Sequence, residues 1–435
     1  MKRLAVALVA AAAVGSTLVG CSQADSGGSG SGDSAGGKPS LLLWVDTPRV
    51  PAAEMYKEKM AGEQDIKIEV IAQADAQTKI ALANRTKKGW PDIIFGTAAD
   101  TAQFLDPSNG YAANLDELVD EEILDGFGEG NSDCIFDGKT YCLKNDLANI
   151  VLWYDTKTFE ELGLTVPTTM QEFAATAMKL KGTGYSAGAI GDQGYYANFL
   201  QSSECPLAEI VEKDVVRIAP EDPKCTRVAE LVQPLLDAGV VDSRSSFDAG
   251  FIKDVAKAGK VAMTLGPSWF GDFVIKPEDS WGVPAGRMAA ANFPVWGTGD
   301  DTKTGAWGGG VFTVSSHSEF PEEAADAAVF MTTSDEMATA ETTPTFPAYG
   351  PANELWEKRI AADPYYAENP YPAMAEGANK ISQVDRPVRF AFVAQIGTVL
   401  QSSINSGESL ETALNKYAES LQKLAPSSGY EVVTE

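Results

Sequence analysis

The sequence predicts an α/β protein with two lobes, each a mainly parallel sheet flanked by helices. Two observations support this fold class. Apolar runs of strand length alternate with stretches of helical character from residue 41 onward, which is typical of strand–helix–strand units. The roughly 400 residues that follow a polar N-terminal segment are also more than one hydrophobic core usually holds.

The first strand–helix–strand unit places polar side chains at one edge of its sheet. "SLLLWVD" and "IKIEVIA" are predicted strands around a helix over 52–60, and a helix over 78–87 leads to the strand "PDIIFGT". Ligands of open α/β sheets bind beyond the carboxyl ends of the strands. The residues expected at that edge are Asp46, Thr47, Arg49, Thr97 and Asp100.

Later segments continue the pattern. "ANIVLWYD" is a predicted strand, and Thr169 with Glu172 has the spacing of a capping box before a helix that Gly182 would end. Another helix is expected from Pro321, because proline is tolerated in a first turn. The last helix carries an apolar stripe of Leu410, Leu414, Tyr417, Leu421 and Leu424.

The N-terminus has the features of an export signal. Lys2 and Arg3 precede an apolar run that ends in Leu-Val-Gly-Cys, too short to span a membrane. This ending resembles the bacterial lipobox, so we expect residues 1–20 to be a signal peptide and Cys21 to carry lipid. Residues 21–38 are rich in Gly and Ser and form a predicted flexible tether. The expected location is the outer face of the bacterial cell membrane.

Four further cysteines are expected to form two disulfides, since an exported protein experiences oxidising conditions. Cys134 and Cys142 flank Asp137-Gly138, a strong hairpin signal. Cys205 and Cys225 would form the second pair. Four cysteines allow three pairings, and only their closeness in sequence favours this one.

The charge balance limits the possible partners. The chain has 34 basic and 61 acidic residues and a formal net charge of −27. This surface disfavours nucleic acid and anionic lipid as partners.

The stretch "GKVAMTLGPSWFGDF" raises a specific question. Val261 to Leu265 is a predicted buried strand, which Gly266-Pro267 should end because proline lacks a backbone donor. Trp269 and Phe270 then fall on a loop. Either Trp269 folds back into the core, or it faces a ligand, as loop residues on a rigid sheet often do.

The chain from about Leu41 to Leu424 resembles the maltose-binding-protein-like family of sugar-binding proteins of ABC importers, and four segments in order carry the resemblance. They are "PDIIFGTAAD", "FDGKTYCLKNDLANIVLWYDTKTFEELGLTVPTTMQEF", "GKVAMTLGPSWFGDF" and "GAWGGGVFTVSSHSEFPEEAADAAVFMTTSDE". The resemblance implies a periplasmic-binding-protein type II fold with a hinge between the lobes. The expected lobes are residues 39–145 with 303–345, and 146–302 with 346–426. Hinge crossings are expected at 144–148, 294–304 and 344–349.

The resemblance also implies ligand contacts. Trp269 matches an aromatic residue that stacks on a sugar ring, and one of Tyr195 and Tyr196 matches a second. Lys144 stands where the family commonly has proline, which leaves the hinge geometry there open. The other residues that match positions around the cleft are Asp46, Arg49, Thr97, Asp100, Asp146, Asn149, Trp307, Gly309, Asp385, Arg386 and Phe390.

The predicted function is therefore capture of a mono- or oligosaccharide and its delivery to an ABC permease, by a monomer without cofactor or catalytic activity. One alternative is a ferric-iron receptor of the same fold that uses Tyr195 and Tyr196. A more distant alternative is a serine hydrolase, because Gly184 to Gly188 fits the G-x-S-x-G pattern around Ser186. The only histidine, His317, would have to be its base.

Overall fold

The computed structural model describes residues 38–97, 110–384 and 388–435, with the main chain alone at 73, 74, 299 and 300. The signal peptide, Cys21, almost all of the tether, Asp100, Asp385 and Arg386 lie outside the described residues. The strands are β1 Ser40–Val45, β2 Asp65–Val70, β3 Ile93–Thr97, β4 Ile135–Phe136, β5 Lys139–Thr140, β6 Leu143–Lys144, β7 Ile150–Asp155, β8 Glu209–Glu212, β9 Val215–Arg217, β10 Met263–Pro267, β11 Met288–Ala291, β12 Gly310–Val314 and β13 Glu431–Val433.

The helices cover the faces of these sheets. They are α1 Val50–Lys59, α2 Gln73–Thr86, α3 Glu121–Asp125, α4 Thr156–Leu162, α5 Met170–Lys179, α6 Pro223–Asp237, α7 Ala249–Phe251, α8 Pro321–Thr333, α9 Asp335–Thr339, α10 Asn353–Ala361, α11 Tyr371–Ala378, α12 Phe392–Gln395, α13 Ser402–Asn405 and α14 Leu410–Leu424. Short π-helical segments lie at Tyr196–Gln201, Ile252–Ala256, Gly271–Ile275 and Ile396–Gln401.

The first sheet has the strand order β2-β1-β3-β12-β6. β1 is parallel to β2 and β3, as the strand–helix–strand pattern predicted, and β12 adds antiparallel to β3 and β6. Asp46 directly follows β1, and Thr97 is the last residue of β3. The two carboxyl ends therefore lie at one edge, as expected.

The second sheet, β10-β7-β11, differs from the expected mainly parallel arrangement. Both β10 and β11 pair antiparallel with β7, which enters from the first sheet. Parallel pairing beside this sheet consists of isolated bridges, such as Ser186 with Val261, while β13 pairs parallel with β9 in the separate sheet β13-β9-β8. The strand also continues through Gly266 to Pro267, two residues beyond its predicted end. Proline fits there because β10 is an edge strand and Pro267 is its last residue.

The predicted helix ends are largely confirmed. Thr169 caps α5 by accepting the Glu172 N–H at 3.2 Å. The Glu172 carboxylate bonds back to Thr168 rather than to Thr169, so the box is shifted by one residue. In α14, Leu410, Leu414, Tyr417 and Leu421 are buried, as the apolar stripe predicted.

Both predicted disulfides are present. Cys134–Cys142 closes the β4–β5 hairpin, and Cys205–Cys225 joins the segment before β8 to α6. Asp137 and Gly138 both have positive φ, 48° and 76°, which is the geometry that an Asp-Gly hairpin turn requires.

Three isolated bridges connect the chain where it passes between the first two sheets: Asp146 with Pro347, Asn149 with Ala306, and Thr304 with Ile381. They fall within or beside the expected hinge crossings. Residues from Lys38 onward form one compact unit, so the lobe boundaries remain a prediction. Within the described ranges, the chain has no helix that is both long and apolar enough to cross a membrane.

Candidate functional site

Trp269 lies where the two largest apolar clusters of the protein meet. It is half-buried and packs against both of them. Its indole Nε1 donates to the Trp307 carbonyl oxygen at 2.7 Å. The preceding residue, Ser268, donates its N–H to the Asn149 carbonyl at 2.9 Å. The hydrogen-bonded edge of the indole is therefore fixed while part of its surface stays accessible.

Further aromatic rings surround Trp269. Phe270, Phe273 and Trp307 meet it edge to face, with ring centroids 5.7, 6.4 and 6.0 Å away. Phe247 adds an exposed ring, 46% accessible, whose edge meets Trp307 at 6.1 Å. The sequence analysis missed Phe247. Its one signal is an isolated aromatic residue in the polar stretch "SRSSFDAG".

A charged group borders the aromatic cluster. Arg49 Nη2 lies 3.2 Å from Asp146 Oδ1, and Arg49 Nη1 lies 3.5 Å from Asp46 Oδ2. The guanidinium also stacks 4.3 Å above the Phe95 ring. Burial raises the pKa of Asp46, although Arg49 acts to lower that pKa. The Asp46 carboxylate and the Arg49 guanidinium stay partly accessible, 24% and 16%, whereas the Asp146 side chain is only 1% exposed and holds Arg49 in place.

Glycines connect the charged group to the aromatic cluster. The Gly310 N–H donates to Asp146 Oδ1 at 3.2 Å, and Gly310 pairs with Thr97. A Cβ on Gly309 would lie 3.0 Å from Lys144 Cε. Gly308 has φ of 96°, and a Cβ there would lie 3.2 Å from Trp269 Nε1. Glycine at both positions therefore lets the main chain pass close to the Trp269 indole and to Lys144.

The structure thus brings together several residues that the sequence predicted, namely Asp46, Arg49, Thr97, Asp146, Trp269, Trp307 and Gly309. A small cavity of about 30 Å³ also touches both Arg49 and Phe273.

Other predicted contacts lie in the core. Tyr195 and Tyr196 are both buried, whereas one was expected to face the ligand. The Tyr196 ring packs on the rings of Phe392 and Tyr417. Phe390 is also buried and packs on Tyr430.

Asn149 has a structural role in this arrangement. Its side chain is fully buried, and Nδ2 donates to the Met374 carbonyl at 3.0 Å. Its main-chain carbonyl accepts the Ser268 N–H, so Asn149 fixes the start of residues 268–270, the Trp269 loop.

The residues that a ferric-iron receptor or a serine hydrolase would use are unsuited to those functions in this structure. Burial raises the pKa of the Tyr195 phenol well above its ordinary value, which disfavours the phenolate that iron would need. Ser186 Oγ bonds to main-chain atoms of Gly188 and Val240. His317 stacks on Trp90 at 3.7 Å, beside the first sheet. Ser186 and His317 therefore have separate partners and form no nucleophile–base pair.

Comparisons with known proteins agree with this architecture. Residues 52–368 match the family of bacterial extracellular solute-binding proteins. A binding protein of Brucella abortus (strain 2308) is 28% identical over 222 residues, which cover 46% of this chain and 53% of that protein. The chain thus spans about half the length of the relatives of this kind that it matches.

Solved structures extend the likeness to nearly the whole chain. The galacto-N-biose/lacto-N-biose I-binding protein of an ABC transporter from Bifidobacterium longum, in complex with lacto-N-biose, has a TM-score of 0.74 at 16% identity, covering 92% of this chain and 100% of that one. The acarbose-binding GacH receptor of Streptomyces glaucescens has a TM-score of 0.69 at 21% identity, covering 91% and 100%. At these identities the likeness shows the fold, which confirms the predicted two-lobed α/β architecture. By the match over residues 52–368, the chain belongs to the family of bacterial extracellular solute-binding proteins.

Proposed function

We propose that the protein captures a mono- or oligosaccharide between its two lobes and delivers it to an ABC permease. It would act at the outer face of the cell membrane, held there by lipid on Cys21. The observation that carries the proposal is the position of Trp269, half-buried and fixed by Trp307, next to the Asp46–Arg49–Asp146 group.

This arrangement suits the chemistry of a sugar. An aromatic face packs on the apolar C–H face of a pyranose ring, while carboxylate and guanidinium groups bond to its hydroxyls. Several structural neighbours carry sugars in their solved complexes, lacto-N-biose and β-1,6-galactobiose among them. These likenesses support a carbohydrate ligand but do not identify it.

The test compares two tryptophans that share a setting. Trp269 and Trp281 both meet Phe270 edge to face, and both donate Nε1 to a main-chain carbonyl. Trp281 is only 1% exposed, whereas Trp269 keeps accessible surface. The Cys21→Ser chain, which lacks the lipid site, is titrated calorimetrically against a panel of sugars, polyols and ferric ion.

Trp269→Ala should weaken sugar binding about thirtyfold or more, because a buried aromatic contact commonly contributes 2 kcal/mol or more. Trp281→Ala should instead lower the free energy of unfolding by about 3–5 kcal/mol and leave the affinity of the folded protein unchanged. Unchanged affinity in Trp269→Ala would remove Trp269 from the site. Binding of ferric ion alone would favour the iron receptor.

A further inference from the structure

The Trp269 loop is held from both sides by one pair of rings. Before the loop, Trp153 Nε1 donates to the Pro267 carbonyl at 3.2 Å. After it, Gly271 lies so close to Trp153 and Tyr366 that a Cβ there would overlap the Tyr366 hydroxyl. Trp153 and Tyr366 stack with centroids 5.8 Å apart. The two ends of the loop are thus fixed to a common support.

A buried polar cluster follows Gly271. The Asp272 side chain is 13% exposed, and its Oδ1 lies 3.7 Å from Lys276 Nζ. Lys276 also pairs with Asp363 at 2.7 Å. The Tyr366 hydroxyl hydrogen-bonds to the Asp272 carboxylate, and the charge of Arg359, on α10, also acts on that carboxylate. Arg359 Nε and Nη2 are buried without a hydrogen-bond partner among the described residues.

This cluster is not explained by stability. Burial raises the pKa of Asp272, although Lys276 and Arg359 act to lower that pKa. Burial also lowers the pKa of Arg359. Both ions are therefore less stable here than in water, and buried ion pairs of this kind are often no better than apolar replacements. A charged cluster that is costly to bury thus lies directly behind the loop that carries Trp269.

We propose that Asp272 is a positioning residue, whose carboxylate, held by Lys276 and the Tyr366 hydroxyl, fixes the helical turn that presents Trp269 to the ligand. The turn is short: Phe273 N–H bonds to the Trp269 carbonyl at 3.1 Å, and Lys276 N–H bonds to Gly271 at 2.9 Å. Asp272 is thus one turn from the indole. The part of the proposal that concerns ligand affinity rests on the proposed function.

Protonation of Asp272 should release the turn. The charged or titratable groups that face it are Lys276 on its own element, Arg359 on α10, and Asp363, Tyr365 and Tyr366. Because the folded-state pKa is raised, proton uptake between this pKa and the ordinary value favours the folded state. A change at Trp269 between these two pH values therefore does not reflect unfolding driven by protonation of Asp272.

The first experiment needs no ligand. The chain is labelled with 5-fluorotryptophan, and the Trp269 resonance is identified by its loss in Trp269→Phe. In the wild type this ¹⁹F resonance should move at acid pH, as Asp272 is protonated. Asp272→Asn should shift or broaden the resonance at pH 7 and abolish its movement at acid pH. Arg359→Met, which removes the facing cation, should act in the same direction. The resonance of Trp44, in β1, should stay in place in both variants.

Asp326→Asn is the matched control, because burial also raises the pKa of Asp326, which lies on α8 away from the loop. It should leave the Trp269 resonance unchanged. A Trp269 resonance in Asp272→Asn that coincides with the wild type at every pH would overturn the proposal.

The second experiment measures sugar affinity. Asp272→Asn should weaken binding by about 2–30-fold, the range typical of coupled residues that do not touch the ligand. Asp46→Asn, measured alongside, accounts for the pH dependence that Asp46 contributes. If the ¹⁹F result holds but no sugar binds the wild type, the proposed function fails and the positioning role stands. Sugar binding that is equally tight in Asp272→Asn would refute the coupling to affinity.

Discussion

At the scale of the residue, Phe247 is the clearest exposed aromatic contact that the structure adds. Its ring lies edge-on to Phe270 and Trp307, and Ser245 Oγ accepts its N–H at 2.9 Å. Phe247→Ala should weaken sugar binding about tenfold, because an aromatic contact of this kind contributes up to roughly 1.4 kcal/mol. Its melting temperature should change little, since the ring is 46% exposed.

Ile135 provides the comparison for this variant. It is 52% exposed on the β4–β5 hairpin, so Ile135→Ala removes a similarly exposed apolar side chain. Calorimetric titration should give wild-type affinity for Ile135→Ala. Equal affinities of the two variants would exclude Phe247 from the site.

Single residues were predictable where the backbone dictates the outcome. The position of Trp269 after the glycine and proline followed from local chemistry, whereas Tyr196 packs against α14, over two hundred residues later. The contacts of Lys144 likewise could not be predicted from the local sequence. Its N–H donates to Asn131 Oδ1 at 2.8 Å, and its ammonium pairs with Asp133. A proline, the residue common in the family here, could make neither contact.

At the scale of the element, the two disulfides fix segments of different length. Cys134–Cys142 spans 8 residues and Cys205–Cys225 spans 20. Replacing either pair by serine should lower the free energy of unfolding by about 2–4 kcal/mol, with the larger loss for the longer loop, because a crosslink restricts the unfolded chain. Denaturant unfolding measures both losses. An unchanged free energy after either replacement would contradict the assigned role of that bond.

The elements themselves followed closely from periodicity, but their pairing did not. The strands "SLLLWVD", "PDIIFGT" and "ANIVLWYD" and the terminal helix formed where the apolar patterns predicted them. The antiparallel order of β10, β7 and β11 could not be read from those patterns, because strand direction depends on where the connecting chain returns. The extension of β10 to Pro267 likewise depends on its edge position, a property of the whole sheet.

At the scale of the whole molecule, the two-lobed fold followed from the chain length and from the resemblance of four segments in order, not from any one element. The structure adds the contacts that a hinge would have to accommodate. Besides the bridges at the crossings, Lys213 Nζ pairs with Asp137 Oδ2 at 3.0 Å, which joins hairpins from the two predicted lobes. This pair is exposed, so it should contribute little and weaken in salt.

Closure of the predicted lobes around a sugar can be measured directly. Leu82 on α2 and Met178 on α5 are exposed, 50% and 40%, and belong to different predicted lobes. The separation of spin labels on Leu82→Cys and Met178→Cys should change by more than about 2 Å when sugar saturates the protein, because hinge closure moves the lobes as rigid bodies. Labels on Met178→Cys and Lys416→Cys, both in the second predicted lobe, should keep their separation. A constant distance for the first pair, with sugar binding confirmed by calorimetry, would show that capture does not use hinge closure.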